Sequence, residues 1–190
     1  MAMEIRDQVL AGQWPFWASS FCCGTPLLAN INAGALYPLQ AINWLLPLKT
    51  GYPLFLFVHL WLSLWGMHLF LRKGVRVGAV ASLVGALAYG VGGYARSMWD
   101  THNFLALPWI PLSFLCLLQA RQAVHRWRAT AGTGLCWALL ILGGDFQAAC
   151  IWVGAALLLI GLLPERRFIV APFAGAIALG VLLAAPQWLP

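Results

Sequence analysis

The chain has 190 residues, of which 62% are hydrophobic and only 8% charged, with 11 Trp and 10 Phe. With a mean hydropathy of +0.82, this exceeds the roughly half-apolar usage of soluble domains and reads as an integral membrane protein. The net charge of +6 does not point to nucleic acid, because the basic residues sit in short clusters between apolar runs and form no continuous basic face.

Residues 1–51 differ in kind from the rest. The stretch "GQWPFWASSFCCGTPLLANINAGALYPLQAINWLLPLKTG" is rich in Pro, Gly, Asn and Trp, and its apolar runs are too short to span a bilayer. Within it, Leu36 to Leu48 reads as a short helix lying in the membrane interface, with Tyr37 and Trp44 at headgroup depth. The expected division is an extracytoplasmic, loop-like region over 1–51 and a transmembrane helical bundle over 52–190. No signal peptide or earlier helix precedes the first region, so an upstream segment is expected.

A spanning helix needs about 20 mainly apolar residues. Using charges as boundaries, spans are expected at Tyr52 to Leu71, Val77 to Ala95, Asn103 to Ala120 and Phe168 to Pro186. The run from Ala129 to Leu163 would be about 50 Å long as one helix, so it is read as two passes broken at "GGDFQ". The fold class is therefore all-α, a polytopic bundle of about six transmembrane helices with short interfacial helices before it. Gly78, Ser82, Ala86 and Gly90 recur every fourth residue on the second helix, as do Ala176, Gly180 and Ala184 on the last, a pattern that lets helix backbones approach closely.

The loops alternate in charge. "RKGVR", "RQAVHRWR" and "PERR" hold eight of the eleven basic residues and fall on one side, which is cytoplasmic by the positive-inside rule. The other side receives Asp100, Asp145 and the N-terminal region, and so four of the five acidic residues.

Charge is scarce, so its gathering in "GYARSMWDTHNFLALPWIPL" carries information. Arg96, Asp100 and His102 lie within seven positions on the expected outer side. They either serve chemistry at the membrane surface or cap and solvate a loop, Asp100 as an N-cap and Arg96 by snorkelling. Asp145 with Gln147 is read as an N-cap after a Gly-Gly turn, with a supporting part in a site as the alternative. Pro108 and Pro111 break or kink the third helix, freeing carbonyls that either line a cavity or are satisfied by neighbours. His59 and His68, nine residues apart, are about half a rotation out of phase and cannot share one ligand; packing beside Trp61 and Trp65 is the expectation. The five Cys show no CxxC or Cys/His metal spacing, and no inverted repeat suggests a transporter.

The order of pieces resembles the opening part of the YfhO-type bacterial membrane proteins, members of the GT-C glycosyltransferase superfamily. The likeness rests on Gly12, Pro15, Trp17, Gly24, Pro26, Ala29, Asn30, Tyr37 and Pro38, then "HLWLSLWGMHLFLRK", "GGYARSMWDTHNFLALPWIPL" and "GGDFQAACIW". It extends over nearly the whole chain but only a minor part of a family member. It implies transfer of a sugar from a polyprenyl-phosphate carrier at the outer face of the bacterial cytoplasmic membrane. Such transfer needs a carboxylate to take the acceptor proton, and cations or a divalent metal to stabilise the departing phosphate. Asp100 and His102 are the catalytic candidates, and Arg96, Asn103, Asp145 and Gln147 the substrate-binding candidates; no metal ligands are assigned. Relatives place an acidic motif in the first outer loop, which Glu4 and Asp7 do not clearly match, and a His-Pro pair where Asp145 and Phe146 stand. The chain by itself is therefore expected to be inactive. The competing expectation is a non-catalytic membrane subunit that packs against partner helices in a larger complex.

Overall fold

The computed structural model describes residues 2–20, 23–99, 101–122, 124, 126–164 and 166–188. It is mostly helical and all-α in class.

Helix α1 spans Ala2–Leu10. A two-residue antiparallel ladder follows, β1 (Trp17–Ala18) against β2 (Thr25–Pro26), with Trp17 opposite Pro26. Its connection turns at Gly24, whose φ of +111° suits glycine, and a Cβ there would come within 2.7 Å of the Trp17 indole. Ile5, Ala18, Leu27, Ala33 and Ala35 close over one another as a small core, so the described part of the N-terminal region carries packing of its own. Glu4 ties α1 to the residues after β1. Its Oε1 accepts from the Ser19 amide at 2.6 Å and its Oε2 from the Ser20 hydroxyl at 2.5 Å. The Ser20 hydroxyl, above all, holds the Glu4 carboxyl below its ordinary range, against the opposing effect of desolvation.

The helix expected over 36–48 is shorter and differently placed. A 3₁₀ turn at Pro38–Gln40 runs into α2 (Ala41–Leu45), and extended Leu46 and Pro47 then lead into α3 (Leu48–Leu69). Tyr37 is fully buried within the protein. The physical reason is its hydroxyl, which finds two partners inside the bundle. The Trp109 indole N–H donates to it at 2.9 Å, and it lies 2.7 Å from His59 Nε2. Trp109 can only donate and the Phe55 carbonyl beside His59 Nδ1 can only accept, so the Tyr37 proton goes to His59 Nε2. His59 Nδ1 then carries the ring proton and donates to the Phe55 carbonyl at 2.7 Å. His59 therefore faces inward against Tyr37 and Phe55, not beside Trp61 and Trp65, which are exposed and stack on each other at 5.9 Å.

Helix α3 ends in a π-helical turn, Phe70–Val75, closed by Arg76 at a φ of +67°. The segment expected at Val77 to Ala95 is divided into α4 (Ala79–Val91) and α5 (Gly93–Ser97), because Gly92 is extended between them. Ser82, Ala86 and Gly90 are buried, and a Cβ on Gly90 would come within 2.7 Å of Leu64, so α3 of the same chain covers this small-residue stripe. The third expected span is likewise divided, into α6 (His102–Ala106) and α7 (Trp109–Gln119). The break falls at Pro108, and the Leu107 carbonyl accepts from the Tyr89 hydroxyl at 2.8 Å, which is satisfaction by a neighbour rather than an open cavity wall.

The "GGDFQ" break stands where expected, between α8 (Arg126–Leu142) and α9 (Phe146–Leu162). Gly144, at a φ of +96°, closes α8 with two bonds: its own N–H to the Ile141 carbonyl, and the Asp145 N–H to the Leu140 carbonyl. This is the Schellman arrangement, for which a glycine in the left-handed region is the favoured residue. Helix α10 (Arg167–Trp188) packs along α8. A Cβ on Gly134 would come within 2.8 Å of the Ala176 carbonyl, and one on Gly180 would strike the Trp137 ring. Trp152 fills the centre between Phe114 of α7 and Phe173 of α10, with centroid distances of 5.4 and 6.1 Å.

Among the described residues two helical stretches, Leu48–Val75 and Arg167–Gln187, are long and apolar enough to cross a membrane. The 13 residues of α4 reach about 20 Å, short of a ~30 Å hydrocarbon core.

The α8–α10 contact predicts a contrast between two glycines. Gly180→Leu should lower thermal stability in detergent by about 1–3 kcal/mol through overpacking. Gly154→Ala, where a Cβ would meet nothing within 4 Å, should be neutral or mildly stabilising.

Candidate functional site

The described candidate residues stand on α5 and at the starts of α6 and α9. Asp145 is the N-cap of α9: its Oδ1 accepts from the Ala148 amide at 2.8 Å, one of the amides that a helix start leaves unpaired. Its Oδ2 accepts from Asn103 Nδ2 at 3.0 Å. Asn103 belongs to the first turn of α6, so this bond joins two turns 42 residues apart. Packing supports the join: a Cβ on Gly143 would lie 3.5 Å from Leu105 Cβ. The N-terminal unit reaches the same place, where a Cβ on Gly34 would lie 3.7 Å from the Leu142 carbonyl.

Asp145 is buried, at 3% exposure, with each oxygen engaged. A general base must reach its proton within about 3 Å and be free to take it; Asp145 is instead a clip holding α6 to α9. Arg96 stands exposed on α5 and Gln147 exposed in the first turn of α9, and no hydrogen bond draws either to the clip. His102 opens α6. Asp100, the leading catalytic candidate, lies outside the described residues. Of the sequence candidates, the structure thus brings Asn103 and Asp145 together.

The sequence reading did not pair Tyr37 with Trp109. Both were visible, as the Tyr-Pro pair that ends the N-terminal loop and as the aromatic residue between two prolines, but nothing in their spacing reveals contact across 72 positions. Burial pushes the Tyr37 phenol far above its ordinary range, so it acts here as a neutral donor and acceptor. His68 is engaged as well, its Nδ1 lying 3.0 Å from the Ser82 hydroxyl. Among the described residues no group of three His, Cys, Asp or Glu side chains converges to hold a metal ion. The chain matches no family model, curated protein or solved structure.

Asp145 supplies a test of its clipping role. Asp145→Ala should lower stability by about 1–3 kcal/mol, from the lost cap together with an orphaned Asn103 amide. Asp145→Asn, which keeps one acceptor oxygen, should lose less, as read by thermal unfolding in detergent. Equal losses would show that the acceptor oxygens are not what matters.

Proposed function

We propose that the chain is a multi-pass helical protein of a bacterial cytoplasmic membrane, of the GT-C glycosyltransferase type, whose outer turn 96–103 meets the phosphate of a polyprenyl-linked sugar. Embedding is supported by what the helices show outward. Val80, Leu83 and Leu87 of α4, Ile151, Leu158 and Leu162 of α9, and Val181 and Leu182 of α10 are all exposed. In water these would be contiguous apolar patches; in a bilayer they are the solvated surface. Helices too short to span alone are compatible with embedding where their ends are covered by protein, as Tyr89 covers the break at Leu107.

The observation that carries the functional half is the Asn103–Asp145 bond. It fixes the start of α6, at the end of the bundle away from the basic loops. In this reading Asp100 takes the acceptor proton, His102 assists the proton transfer, and Arg96 offsets charge on the departing phosphate. Asn103 and Asp145 hold the turn in position, and Gln147 offers an exposed amide to the sugar. The resemblance to YfhO-type proteins supplies the reaction class.

One observation favours a second reading, a non-catalytic subunit packed against partner helices. Of the described carboxylates, Glu4 and Asp145 are committed to hydrogen bonds and Asp7 stands exposed beside Arg6, which leaves catalysis at the 96–103 turn resting on Asp100. An assay of sugar transfer from polyprenyl-phosphate donors, in membranes carrying the protein in its native assembly, separates the two. The transferase reading expects Asp100→Asn and His102→Ala each to lower transfer about ten-fold or more. Undiminished transfer in both variants, with stoichiometric co-purification of partner proteins, would establish the subunit.

A further inference from the structure

The opposite end of the bundle holds a second concentration of charge that the transferase reading does not use. Lys73 and Arg76 follow α3, Arg121 and Gln122 follow α7, and Gln119 ends α7. Together with Phe168 of α10 they line a cavity of about 550 Å³. A neighbouring cavity of about 450 Å³ shares Lys73, Gln119 and Gln122 and adds Arg128. Basic residues of two loops, 73–76 and 121–128, therefore converge on one place. Phe168 is flanked by two more cations, the Arg167 and Arg126 guanidinium groups at 4.7 and 5.9 Å from its ring centre. No described carboxylate lines either cavity, and Glu165, the acidic residue of these loops, lies outside the described residues.

Lys and Arg side chains are donors without acceptor capacity, and the Gln amides add further donors. Such a concave set of donors suits an anion, and the guanidinium fork matches phosphate in particular. The shape of the surroundings narrows the choice. An apolar groove of about 370 Å³, lined by Met67, Phe70, Ile110, Phe114 and Leu159 among others, begins where the basic cavity ends. Phe70 forms the border: its ring lies 3.1 Å from where a Cβ on Gly74, a basic-cavity residue, would sit. Along α7, the groove residue Phe114 stands one turn before the cavity residue Leu118. A polar head of several cations joined to an apolar trough fits a molecule with a phosphate at one end and hydrocarbon at the other.

We propose that this cavity binds the phosphate of an anionic membrane lipid, its acyl chains lying in the groove along Phe70 and Phe114. The proposal shares with the transferase reading only the embedding in a bilayer, and its site stands at the other end of the helices. On the expected cytoplasmic side it would hold a lipid of the inner leaflet, where each nearby cation strengthens anionic-lipid binding about five-fold.

Native mass spectrometry of the purified full chain in detergent tests this, with phosphatidylglycerol and phosphatidylcholine titrated in parallel. Phosphatidylglycerol is expected to bind at least about ten-fold more tightly. Lys73→Gln and Arg121→Gln, both at exposed positions, should each weaken it about five-fold, Arg121→Lys should retain it, and Lys49→Gln, at the far end of α3, should leave it unchanged. Equal binding of the two lipids, or equal losses in the Lys73 and Lys49 variants, would overturn the proposal. Displacement of the lipid by inorganic phosphate or glycerol 3-phosphate at comparable concentration would overturn the lipid assignment in favour of a soluble anion.

Discussion

A bundle this apolar has few polar side chains to spend, and a buried one is costly unless it finds a partner within the protein. The chain Trp109 to Tyr37 to His59 to the Phe55 carbonyl is where that constraint binds most tightly. It joins the N-terminal unit, α3 and α7 through one hydroxyl, with every donor and acceptor assigned. Tyr37 and His59 are wholly buried, so a missing member would leave unpaired groups in a low-dielectric interior. Around this junction the remaining contacts are apolar and close: Trp152 between two phenylalanines, and glycine-lined passages where α8 meets α10. Polar pairing sets the register of the elements, and small residues let them close.

The sequence made some of this legible for identifiable reasons. The turn at 143–145 was readable because its residues carry their own instructions: Gly144 can adopt the left-handed region that ends α8, and Asp145 can cap α9. The small-residue stripe of α4 was readable because its period matches the helix. The break at Gly92 was not, since a lone glycine in an apolar run is equally at home inside a membrane helix. The inward turn of Tyr37 and His59 was hidden for another reason. An aromatic with a polar tip suits the headgroup layer as well as a buried hydrogen bond, and only the position of Trp109 decides between them. Likewise Asn103 and Asp145 were singled out separately, while their bond depends on the meeting of α6 with the α8–α9 turn.

The two ends of the bundle are chemically unlike. At one, Asp145 is drawn into hydrogen bonds that hold two turns together, and Arg96 and Gln147 stand exposed. At the other, Lys73, Arg76, Arg121 and Arg128, from two loops, line neighbouring cavities. This asymmetry has a simple physical origin in the proposed membrane setting: basic residues are retained on the side facing an anionic leaflet. A transferase site and a lipid anchor at opposite faces would then divide the labour of the few polar residues.

The central claim is that the helices cross a membrane repeatedly with the basic loops inside, and labelling tests it most directly. Single cysteines at Ser97, Phe146, Gln122 and Arg166, in a background without Cys22, Cys23, Cys116, Cys136 and Cys150, would be exposed to a membrane-impermeant thiol reagent in intact cells. The account predicts reaction at 97 and 146 and protection at 122 and 166 until the membrane is opened. Reaction at 122 or 166 from outside, with 97 and 146 protected, would contradict it.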